Sequence, residues 1–102
     1  MKSQKEKPVR VLFRVDQDNG EIVAVFPDIP GTNDPYQMLC YAHVGQHNAC
    51  SMDWFYEYTE KAKEGEYQPL KKELELLGYN LAIRSRMTQR MLENRKKALK
   101  EI

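Results

Sequence analysis

Residues 40–50 read CYAHVGQHNAC, which sets Cys40, His43, His47 and Cys50 in the pattern C-x2-H-x3-H-x2-C. These are the only cysteines and histidines in the chain. Thiolate and imidazole are the ligands zinc takes, four of them in a tetrahedron. A Cys near a His could also form a thiolate–imidazolium pair for nucleophilic attack. Local geometry weighs against both. On one helix His43 and His47 would share a face, but Cys40 and Cys50 would lie about 15 Å apart along the axis. On a strand, Cys40 and His43 have opposite parity and point to opposite sides. Only a tight loop through Gly45 could gather all four side chains. No oxyanion device, orienting acid or Gly-rich elbow accompanies the cysteines. Cys40 is therefore read as a small buried hydrophobe and His47 as a hydrogen-bonding turn residue. No catalytic residue and no resident cofactor is expected, with zinc at Cys40, His43, His47 and Cys50 as the alternative.

A second candidate is electrostatic. The net charge of +1 conceals an uneven distribution. Residues 1–14 carry five basic side chains and one acid, residues 80–102 carry seven and two, and residues 15–79 carry four and twelve. Arg10, Arg14, Arg84, Arg86, Arg90 and Arg95 could line up as a strip that contacts phosphates or an acidic partner. Nucleic acid is not favoured, because the aromatics sit in the acidic centre and the overall charge is near zero. Arg and Lys at exposed strand positions also serve to block unwanted pairing.

The elements that must position these residues follow from periodicity. At 102 residues the chain suits one domain. Residues 1–8 are polar and read as a flexible N-terminus, 9–87 as a single domain, and 88–102 as a basic amphipathic C-terminal helix. VRVLFRVD alternates as a half-buried strand, with Val9, Val11, Phe13 and Val15 on one side. Asn19-Gly20 marks a hairpin, EIVAVF is its return strand, and FPDIPG stops it. QMLCYAHV is a third strand ending at Gly45. Ser51 could cap a short helical turn over MDWFYEY. Tyr67, Leu70, Leu74 and Leu77 make one stripe on a helix from about Lys63 to Leu77, and Gly78 stands at its C-cap. YNLAIRSRM alternates again, and Met91, Leu92, Leu99 and Ile102 stripe the last helix. The order β-β-β-α-β with one helix on a face and a C-terminal helix defines an α+β domain on a mainly antiparallel sheet.

Two resemblances attach to these residues. A hairpin whose second strand ends in FPDIPG, residues 26–31, resembles the N-terminal part of the antitoxins of HicAB-type toxin–antitoxin pairs. That resemblance implies a β-β-β-α-β fold and an RNA-cleaving toxin as partner. After Gly31 the stretch TNDPYQMLCYAHVGQHNAC departs from the antitoxin pattern, where a helix usually follows. Over most of the chain, VLFR…GEIVAVFPDIP, YAHVGQH and EYQPLKKELELLGYNLAIRSR are similar to a group of short uncharacterised bacterial proteins, many from Bacteroides-like organisms. That similarity implies a compact bacterial domain and no particular chemistry.

The expectation is thus a small, non-enzymatic domain of bacterial type that acts through protein contacts and forms a homo-oligomer. Met91, Leu92, Leu99 and Ile102 would supply the interface. An antitoxin-like regulator binding a toxin or nucleic acid is the alternative. No apolar run approaches the length of a membrane span and MKSQKEKPVR lacks an apolar leader core, so a cytoplasmic location with both thiols reduced is expected.

Overall fold

The structure is a computed structural model that describes residues 8–42 and 46–100. Of the flexible N-terminus expected over residues 1–8 all but Pro8 lies outside the described residues, as do His43, the end of the third strand at Val44-Gly45, and Ile102. Strands β1 (Val9–Asp16) and β2 (Ile22–Pro30) form the first hairpin, with Leu12 opposite Val25 and Phe13 opposite Ala24. Gly20 takes a left-handed conformation at φ 74°, as the Asn-Gly pair predicts. Asn19 does not join it; its side chain instead accepts from the Glu21 N–H at 2.9 Å. The loop is correspondingly wider than a two-residue turn.

β3 (Gln37–Ala42) returns along β2, and β4 (Gln46–Ser51) returns along β3. β4 corrects the expectation of a turn around His47. QHNACS holds no β-branched or large aromatic residue, so it carries little of the composition by which strands are recognised. The remaining edge of β1 is shared. β5 (Thr59–Lys61) pairs antiparallel with Arg14–Asp16, and β6 (Leu81–Arg84) pairs parallel with Val9–Leu12. The mainly antiparallel sheet thus runs β4-β3-β2-β1-β5, with β6 beside β1.

Helices α1 (Met52–Tyr58), α2 (Glu64–Leu76) and α3 (Gln89–Lys100) cover this sheet. Ser51 caps α1 as expected, its hydroxyl accepting from the Trp54 N–H at 3.0 Å. α2 ends where Gly78 turns left-handed at φ 106°, and the Tyr79 N–H closes on the Leu74 carbonyl at 3.1 Å. Leu70 and Leu74 are buried but Leu77 is 58 % exposed, because the chain leaves the helix before that turn reaches the sheet.

Strand parity divides the core in two. Val11, Phe13, Ala24, Phe26 and Tyr41 face α2 and meet Leu70 and Leu74. Leu12, Val23, Val25, Met38 and Cys40 face the opposite side and meet Phe55 of α1. α3 packs on β2 and joins α1 on that second side through Arg95, whose guanidinium reaches the Met52 sulfur. Helices therefore cover both faces, where the alternation of the strands suggested one covered and one open. Each fully buried large side chain contributes about 1.5–3 kcal/mol, so the second face adds substantially to so small a domain. The α+β class stands.

Candidate functional site

β3 and β4 decide what the Cys/His segment can do. Their register sets Met38 opposite Cys50, Cys40 opposite Asn48 and Tyr41 opposite His47. Cys40 and Cys50 therefore lie on the α1 side, diagonal to one another, while His47 lies on the α2 side. His47 Nε2 is 2.7 Å from the Tyr79 hydroxyl, and its ring sits 4.9 Å from that of Tyr41. Three of the four residues considered for zinc thus do not converge, and the fourth, His43, is not among those described. Among the described residues no group of three or more His, Cys, Asp or Glu side chains is placed to hold a metal ion.

What the pairing brings together is the two thiols. Both cysteines are free. The neighbouring Cys50 thiol lowers the Cys40 pKa below the ordinary thiol value, and Cys40 together with burial raises that of Cys50. A groove of about 380 Å³ opens over the pair, with Asp16, Glu21, Asn48 and Trp54 in its walls. The Trp54 indole N–H donates to Asp16 at 3.2 Å.

The basic strip is partly dismantled by packing. Parity does place Arg10, Leu12 and Arg14 on one face, but that face is the one under α1 and α3. Arg10 forms a two-bond fork to Asp28 at 2.8 and 2.6 Å. Arg14 lies 4.1 Å above the Phe55 ring and donates to the Thr59 hydroxyl at 2.9 Å. Arg95, expected on the surface, is fully buried and donates to the carbonyls of Pro35 and Pro27. Arg84, Arg86 and Arg90 are exposed. Arg84 and Arg10 line a second groove with Asp28 and Asn94.

The expected interface on α3 also changes. Met91 and Leu92 are 2 % and 9 % exposed, and Leu99 is partly buried. The helix folds back onto its own sheet, so Met91 and Leu92 are not available to a second copy. The free surface missed in the sequence is β4 itself. It ends the sheet, and His47, Asn48 and Ala49 are exposed. Little in the composition of QHNACS could have found it.

Among the described residues no helix is long and apolar enough to cross a membrane. Comparison with protein-family models, curated proteins and solved structures finds no match to the chain.

Proposed function

We propose that this domain works through protein contacts rather than catalysis, and that it associates with a second copy of itself along β4. The observation that carries this reading is an unprotected sheet edge. A terminal strand presents a row of backbone donors and acceptors that invites another strand, and proteins normally blunt it with charge, proline or shortness. β4 has six residues and neither a charge nor a proline. The opposite edge shows the usual protection: β5 is only three residues, two of them charged, and β6 is four residues ending in Arg84. Two copies of β4 can pair antiparallel about a twofold axis, which makes one continuous sheet and sets no like charges against each other.

The non-catalytic part of the reading is supported by how the polar side chains are used. Asp28 is taken by Arg10 and Asn94, Tyr41 by Glu73, and Asp16 by Trp54. Sedimentation equilibrium tests the association. The wild-type chain should show a monomer–dimer equilibrium, and Asn48→Lys, which faces two charges across the pair, should weaken it by about tenfold or more. A strict monomer at high concentration removes the reading. A dimer indifferent to Asn48→Lys moves the interface off β4.

The antitoxin-like alternative keeps a smaller surface, since Arg84, Arg86 and Arg90 remain exposed. Salt-dependent retardation of RNA or DNA that is lost in Arg86→Ala/Arg90→Ala would favour it.

A further inference from the structure

The thiol pair lies in an unusually sulfur-rich setting. Met38 and Cys40 are buried in the α1-side cluster, and Cys50, Met52 and Met87 pack against it. Met38 stands directly opposite Cys50 across the β3–β4 ladder, and Cys40 is Cys50's diagonal neighbour. Both cysteines line the groove that Asp16 and Glu21 flank.

We propose that Cys40 and Cys50 bind one cuprous ion between their two sulfurs. Soft thiolate and thioether ligands select Cu(I) among biological cations. A monovalent d10 ion is satisfied by two or three sulfurs, whereas structural zinc requires four ligands. His47, the nearest described imidazole in sequence, is on the other side of the sheet and cannot complete a zinc tetrahedron. A disulfide is the obvious competitor and fits less well. Diagonal residues on paired strands have Cα atoms about 7–8 Å apart, beyond the roughly 4.4–6.8 Å that a disulfide spans without moving the backbone. A bridging ion lengthens the link between the sulfurs and relieves that mismatch.

The chemistry balances without a redox step. As two Cu–S bonds form, the two thiol protons pass to solvent, and copper enters and stays as Cu(I). The product carries one net negative charge, and Arg95 acts on Cys50 as a favourable positive charge. The carboxylates of Asp16 and Glu21 at the groove favour cation entry.

The test is an anaerobic titration of the reduced, full-length chain with Cu(I) against a chromophoric cuprous chelator. One equivalent should be withdrawn at chelator concentrations where glutathione, at equal thiol, withdraws none. Cys40→Ser and Cys50→Ser should each weaken binding by roughly a hundredfold or more, given that even outer partners of metal ligands are worth ten- to a hundredfold. His47→Ala should leave it unchanged. Copper-edge X-ray absorption of the loaded wild type should show sulfur ligands alone, a readout independent of whether the buried Cys40→Ser variant folds. Failure to withdraw copper, retention of copper by both serine variants, nitrogen ligation, or zinc competing on equal terms would each overturn the proposal.

Discussion

Arg95 shows how one residue can join three parts of the chain. Its guanidinium is fully buried, donates to the Pro35 carbonyl at 2.6 Å and to the Pro27 carbonyl, and touches the Met52 sulfur at 3.0 Å. Neither carbonyl can be satisfied by its own strand: Pro27 begins an irregular stretch where the β2–β3 register shifts between Phe26 and Pro30, and Pro35 lies in the loop before β3. A planar fork with several donors suits this task, and an ammonium does not. Arg95→Ala leaves a buried and a half-buried acceptor unpaired and opens a cavity, so it should cost about 3 kcal/mol in urea unfolding. Arg95→Lys should recover only part of that. A loss below about 1 kcal/mol in Arg95→Ala would mean the fork is incidental. The role was half legible. Arg95 lies on the same helical stripe as Met91, Leu92 and Leu99, which marks a charge on an apolar face. A sequence names no partner for such a charge, because the two carbonyls are about 60 residues away and belong to a bulge and a loop.

At the level of elements, the strands with strong alternation were legible and the weak ones were not. Val9–Asp16 declares itself through Val, Phe and Arg at period two, and Leu70 and Leu74 declare α2. β4 and β5 are strands because β3 and β1 offer them ladders, and tertiary pairing of that kind outweighs intrinsic preference. The thiol pair follows from this: Cys40 and Cys50 become neighbours only once β4 exists, so the segment's apparent fourfold symmetry as a string misleads about its geometry. Gly31 reveals how closely these elements are fitted. A Cβ there would stand 2.6 Å from the Met38 carbonyl oxygen and 2.8 Å from the Ala49 Cβ. The Met38 oxygen is backbone within a ladder and cannot swing away. The crowding, rather than any left-handed torsion, requires the glycine. Gly31→Ala should therefore destabilise the domain by about 1–3 kcal/mol, with faster amide exchange concentrated in β3 and β4. Wild-type stability and exchange in that variant would mean the loop moves aside freely.

For the molecule as a whole, one contact ties the oppositely charged parts of the chain together. The basic start of the chain meets the acidic centre at Arg10–Asp28, and the last helix joins them when Asn94 donates to the same carboxylate at 2.7 Å. β1, β2 and α3 are thereby tied at one group. Burial pushes the Asp28 pKa up, but the hydrogen bonds from Arg10 and Asn94, with the charges of Arg10 and Arg95, outweigh it and hold the carboxyl below its ordinary value. A carboxylate depressed in the folded state adds stability above its unfolded pKa, about 3.9, and loses that contribution as pH falls through the folded value. The tie should therefore be in full effect at neutral pH and released only in acid. Asp28→Asn removes the charge while keeping the shape. It should be less stable than wild type by on the order of 1 kcal/mol at neutral pH, a modest figure because solvent reaches the pair. As pH falls below about 4 the wild-type stability should drop toward that of the variant, so that urea midpoints converge as the folded carboxyl takes up its proton. A constant separation through the acid range would show that Asp28 acts by packing alone, and that its charge contributes nothing to holding the last helix on the sheet.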